Sequence, residues 1–115
     1  MTTRHRARLC FALGGAALSV TLGAWAAWAS NVAIVTQSNR RFQPSEVEVA
    51  RGGVVRFVND DGSLLHHVYT TSPGFDFDSG EQEPGKVVEE RFNVPGTYVV
   101  MCGIHPKMHL KVTVR

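Results

Sequence analysis

Cys102, His105 and Met108 place a thiol, an imidazole and a thioether at intervals of three residues near the C-terminal end of the chain. They follow the β-branched run Val99-Val100, and Gly103 and Pro106 lie between them. A tight loop that starts at Cys102 and ends at Met108 brings the three side chains within reach of one ion. A fourth donor must come from elsewhere, and His66 and His67 stand 36 and 35 residues before the cysteine, directly after the turn-rich segment Asn59–Ser63. Ligand types discriminate among metals better than raw affinities do. A thiolate, two imidazoles and a weak thioether form the trigonal set with a long axial methionine used by electron-transfer copper. Zinc is the weaker reading, because its structural sites take four good donors and a thioether is a poor one. Iron–sulfur clusters need four cysteines or two with two histidines, and one thiol supplies neither.

Taken singly, each of these residues has a plainer explanation. A cysteine at a strand end is commonly a small buried hydrophobe, a methionine fills gaps in a core, and one strand histidine is more often satisfied than ligating. It is the combination, in a β-rich exported domain, that points to a metal.

The elements that must position the cluster are strands. From Val32 onward, short β-branched or aromatic runs alternate with turn residues, and no helical periodicity persists beyond about two turns. Strands are expected at Val32–Gln37, Glu46–Ala50, Val54–Asn59, His66–Thr71, Lys86–Phe92, Thr97–Cys102 and Met108–Val114. Pro44-Ser45, Arg51-Gly52-Gly53, Asn59-Asp60-Asp61-Gly62, Ser72-Pro73-Gly74, Pro84-Gly85 and Pro95-Gly96 separate them as turns. Seven short strands imply an all-β, two-sheet Greek-key sandwich, since a single open sheet would leave an apolar face wet. Phe75–Glu83 carries four acids, Asp76, Asp78, Glu81 and Glu83. It reads as a solvated loop in preference to a docking surface for a basic partner, with Phe75 and Phe77 placed to fold their rings back onto the sandwich.

The 115 residues hold 12 Lys+Arg and 10 Asp+Glu, which suits one small domain and excludes a multi-domain enzyme. Arg4, Arg6 and Arg8 precede an uncharged stretch from Leu9 to Trp28, and Ala27-Trp28-Ala29 sets small residues where a signal peptidase cuts. Residues 1–29 therefore read as an export signal and 30–115 as the mature domain, periplasmic or otherwise exported. A retained membrane anchor is the competing reading, but glycines and hydroxyl residues dilute the run. With cleavage no stable membrane insertion is expected. The mature part carries 9 basic and 10 acidic residues, so the basic excess belongs to the leader and does not signal nucleic-acid binding. Cys10 leaves with the leader, and Cys102 is then the sole thiol.

At these residues the chain resembles the cupredoxins, the small blue copper proteins. Phe42-x-Pro44-x2-Val47-x-Val49, Gly52 and Val55-x-Phe57-x-Asn59 are similar to the family's first strands, His66-x-Val68 to its first-ligand strand, and Gly96-Thr97-Tyr98 leads into the ligand loop. Cys102-x2-His105-Pro106-x-Met108 matches the short spacing of the amicyanin type. The resemblance implies a cupredoxin-like domain binding one copper ion that cycles between Cu(I) and Cu(II), with His66, Cys102 and His105 as strong ligands and Met108 as the axial one. The position after the first ligand is commonly Asn in the family and is His67 here. If Val68 faces the core, strand alternation puts His66 on the same side and turns His67 away. His109 is expected to lean outward for the same reason.

The implied function is one-electron transport between a redox donor and acceptor, by a monomer that is not an enzyme. Electrons are expected to pass through the His105 edge, with Lys107, Lys111 and Arg115 favouring an acidic partner. A copper chaperone without redox cycling is the alternative, disfavoured because the mature chain has only Met101 and Met108. A two-centre oxidase fails because His67 and His109 alone are left for a second copper.

Overall fold

The computed structural model describes residues 14–17, 19, 23 and 29–115, and all regular elements among them are strands. In chain order these are β1 (Ser30–Ser38), β2 (Arg41–Gln43), β3 (Glu46–Asn59), β4 (His66–Ser72), β5 (Phe75–Gln82), β6 (Val87–Phe92), β7 (Gly96–Cys102) and β8 (His109–Val114). The leader expected over residues 1–29 lies largely outside the described residues.

Two expected strands, 46–50 and 54–59, are one element. β3 runs 14 residues through the Arg51-Gly52-Gly53 segment, and Gly52 takes φ +80°, a conformation that costs glycine little. A Cβ on Gly53 would lie 2.7 Å from the Ala50 carbonyl oxygen, so the chain folds tightly against itself there. The irregularity lets β3 serve two layers. Its first half pairs in parallel with β8, through Val47 opposite Val112. Its second half pairs in parallel with β1 and antiparallel with β6, as in Phe57 opposite Val35 and Val88.

One layer is thus β2-β1-β3-β6, and the other continues from β3 through β8-β7-β4-β5. The links β3 to β4, β5 to β6 and β6 to β7 join strands that are not paired, as a Greek key requires. Between the layers, inward residues make one cluster that includes Val35, Phe57 and Phe92 on one side and Val68, Val100 and Leu110 on the other. The expected all-β sandwich is what forms.

Residues 75–82 are strand β5, not a loop, paired antiparallel with β4. Phe75 and Phe77 lean on Phe92 with ring centroids 5.0 and 5.8 Å away, while Asp76 and Asp78, which alternate with them, are exposed. Their alternation is the period of a half-buried edge strand, and the acids keep that edge hydrated.

Candidate metal centre

Strand parity aims two donors inward. Val68 on β4 lies opposite Cys102 on β7, and the alternate residues His66, Val68, Tyr98, Val100 and Cys102 are all buried. His105 arrives from the loop that follows β7. That loop is closed by the Met108 N–H donating to the His105 carbonyl at 3.0 Å, and it is held to β4 by the Gly103 N–H donating to the His67 carbonyl at 2.8 Å. A Cβ on Gly103 would come within 2.8 Å of the His67 ring, so glycine permits this close approach of loop and strand.

Three donor atoms converge as a result. Cys102 Sγ lies 3.6 Å from His66 Nδ1 and 3.7 Å from His105 Nδ1, and the two nitrogens are 3.3 Å apart. The centre of such a triangle is about 2 Å from each corner, the length of bonds from a transition metal to imidazole or thiolate. Among the described residues this is the one group of His, Cys, Asp or Glu side chains with ligand-like convergence. One thiolate and two neutral nitrogens suit a soft or borderline metal. Met108 is 2% exposed and lines the same groove as His105.

The surroundings prepare these donors. His66 Nε2 is 2.9 Å from Asp61 Oδ2; a carboxylate only accepts, so Nε2 carries the hydrogen and the Nδ1 lone pair faces the centre. The same carboxylate accepts the backbone N–H groups of Asn39 at 2.9 Å and Arg40 at 2.8 Å. Both residues have left-handed φ, 52° and 53°, which turns consecutive N–H groups toward one anion. Burial opposes ionisation of Asp61, but the Arg40 N–H, the His66 ring and the Asn39 N–H outweigh it and hold the carboxyl below its usual range. Burial lowers the His105 pKa, and the neighbouring His66 and Arg40 lower it further against the pull of Asp61. The lowered pKa favours the neutral ring, the form whose Nδ1 lone pair can ligate.

Asp61 owes its place to Asn59. The buried Asn59 side chain donates to the carbonyls of Leu64 and Gln82 and accepts the Asp61 N–H at 3.2 Å. This Asx turn fixes the loop that leads into His66. Sequence reading took Asn59–Gly62 only as a turn and did not foresee the carboxylate; an Asx-turn residue followed two positions later by an acid, just before a candidate ligand, is the signal it carried. His67 turns away from the centre, as expected, and its Nε2 pairs with Asp78 on β5. Its backbone N–H points to Cys102 Sγ at 3.4 Å. His109 is exposed, also as expected.

No family model matches the chain. Amicyanin-alpha of Methylorubrum extorquens is 35% identical over 77 residues, a match that covers 64% of this chain and 64% of that relative's length. A solved amicyanin, a reduced tryptophan-to-tyrosine variant, superposes with a TM-score of 0.67 at 22% identity, covering 76% of this chain and 85% of that one. The fold is that of the cupredoxins. The chain also matches the copper-containing nitrite reductase of Thermus scotoductus SA-01, with a TM-score of 0.65 and 27% identity over 71% of its own length but only 22% of the reductase.

Asp61 also bears on the stability of the metal-free protein. Asp61→Ala removes an enclosed, charge-assisted bond to His66 and two bonds to backbone groups that water can reach and replace, so it should cost about 1–2 kcal/mol at neutral pH. Because the folded carboxyl titrates below its usual value, the native contribution is complete above about pH 4 and fades as the pH falls through the lowered value. Urea unfolding at a series of pH values checks this: native and variant curves should differ at pH 7 and converge in acid. A gap that is constant down to the lowest pH would contradict it.

Proposed function

We propose that this chain is a cupredoxin that holds one type 1 copper ion and carries single electrons between redox proteins, with His66, Cys102 and His105 as strong ligands and Met108 as a weak axial donor. The observation that carries the reading is the triangle of one sulfur and two ring nitrogens at 3.3 to 3.7 Å, built from segments far apart in the chain. Copper bound there supplies the reversible Cu(I)/Cu(II) couple. The protein's part is to keep the donors still. His66 is locked through Asp61, Cys102 is fixed in the β7 ladder, and the His105 loop is pinned at Gly103 and Met108. A site that need not rearrange between oxidation states exchanges electrons quickly.

Burial supports His105 as the exit. His66 and Cys102 are 0% and 2% exposed, whereas His105 is half-buried and lines a surface groove. The His105 ring edge is the donor through which a partner makes electronic contact. Enclosure also disfavours a chaperone, which must release its ion to a recipient. His67, paired with Asp78, and exposed His109 are the remaining histidines of residues 30–115, and electron carriage by a single centre is the reading favoured over enzymatic turnover. Export rests on the leader pattern at residues 1–29, and a monomer is the state in which the groove is free.

Voltammetry of the copper-loaded protein tests the proposal: a reversible one-electron wave is expected, and tight copper binding without any wave would favour storage or delivery of the ion. Met108→Gln should leave copper bound and shift the midpoint potential measurably, because the axial donor tunes a type 1 site without anchoring it. Complete loss of binding in a dialysis assay would contradict that role.

A further inference from the structure

We infer that the groove beside His105 receives the carboxylate-bearing rim of an acidic redox partner, with Arg40, Arg41 and Lys107 as the receiving charges. The inference rests on the reading of His105 as the electron exit, and it adds what kind of surface meets that exit.

The expected set of partner-facing cations was Lys107, Lys111 and Arg115. The structure changes two of the three. Arg115 is paired with Glu48 at 2.6 Å and Lys111 with Glu46 at 3.9 Å. In their place stand Arg40 and Arg41, which the β1–β2 hairpin carries to the loop so that they line one groove with Ile104, His105, Pro106 and Lys107. Arg40, Arg41 and Lys107 are exposed, and among the described residues none has an ion-pair partner or a side-chain hydrogen bond.

Among the described residues no acidic side chain lines the groove. Asp61, which bonds the Arg40 backbone, is engaged by His66 and the N–H groups of Asn39 and Arg40. That engagement also fixes the backbone from which Arg40 projects. The Arg40 charge is felt at the His105 ring, where it helps to lower the pKa.

The rest of the surface has the opposite character. Residues 30–115 carry 9 basic and 10 acidic groups, and exposed Asp76, Asp78 and Glu81 line the β5 edge while Glu89 lies on β6. A slightly acidic domain with three unpaired cations gathered beside the exit, and only Arg51 and Lys86 similarly unpaired elsewhere among the described residues, has a charge separation that orients approach. An acidic partner is drawn in with the His105 edge leading, and a basic partner is drawn to the wrong side. Ile104 and Pro106 supply apolar contact between the charges, in the manner of an interface core with a polar rim.

The test is a nuclear magnetic resonance titration of isotope-labelled protein, copper-free and Cu(I)-loaded, with a ten-residue polyglutamate peptide. Shifts are expected at residues 39–41 and 103–108. Binding should weaken about tenfold in Arg40→Glu/Arg41→Glu and change less than about twofold in Arg51→Glu/Arg91→Glu, which alters net charge equally at the Gly52–Gly53 bend of β3, away from the Asn59 end that carries the site. Shifts centred on Arg51 or Arg91, equal weakening in both double variants, or the same shifts from inorganic phosphate at matched ionic strength would overturn the inference. The copper-free arm makes no use of the metal. Peptide binding there, combined with a failed voltammetric wave, would leave the basic docking face standing and remove the electron-carrier reading; the reverse pattern would do the opposite.

Discussion

Cys102→Ser is expected to abolish the intense visible absorption that copper(II) gives to the native protein, while leaving the fold intact. The absorption of a type 1 site comes from charge transfer between thiolate sulfur and copper, and Cys102 is the single cysteine of residues 30–115. Serine keeps the size of the side chain but offers a hard, protonated oxygen in a buried position, where a copper ion would gain little from it. His66 and His105 remain, with their Nδ1 atoms 3.3 Å apart, so weak copper uptake with a pale spectrum should persist. The loss to be looked for is therefore in band intensity, on the order of tenfold or more, rather than in binding alone. Absorption spectra of both proteins at equal copper content decide the matter. A variant that keeps the native band would show that the sulfur is not the ligand. Because Cys102 also sits in the core, circular dichroism of the copper-free variant should be recorded alongside, and it should match the native strand signal.

Phe57→Ala is expected to cost about 3–5 kcal/mol, a large part of what a domain of this size has to spare. Phe57 is fully buried on the second half of β3. Its ring meets Phe42 edge-on at 6.1 Å and Phe77 at 6.3 Å, so it joins β2, β3 and β5 across the core. Removing it opens a cavity that rigid strands on both sides cannot close. Two residues further along the same strand, Asn59 organises the loop that presents Asp61 and His66, and the variant should also loosen the centre. Denaturant unfolding of the copper-free protein measures the loss. A cost below about 1 kcal/mol would mean that the two layers do not meet through this ring.

Much of this was legible before any coordinates. The inward direction of His66 and the outward direction of His67 followed from the alternation with Val68, because a strand leaves no other choice once one residue of it is placed. The convergence of Cys102 with His105 followed from a short loop with a glycine beside the thiol. What escaped had a common cause. β5 was hidden because it carries three acids with Ser79 and Gly80 among them, so composition spoke for a loop while the Phe75 and Phe77 alternation spoke for a strand. The continuity of β3 was hidden because Gly52-Gly53 ordinarily ends a strand, and here two glycines let one strand change layers. Arg40, Arg41 and Asp61 were hidden more deeply. Their meeting with the ligands depends on how the β1–β2 hairpin and the loop before β4 pack at one end of the sandwich, which no local pattern encodes. The pairing of Lys111 and Arg115 with Glu46 and Glu48 was likewise set by the parallel register of β3 with β8.

Every functional statement returns to the three atoms at the end of the sandwich. The most direct measurement is X-ray absorption at the copper edge on the loaded protein, native and Cys102→Ser side by side. One sulfur and two imidazole nitrogens in the first shell of the native protein, with the sulfur gone in the variant, is the predicted result. A first shell of oxygen and nitrogen alone in the native protein would contradict it.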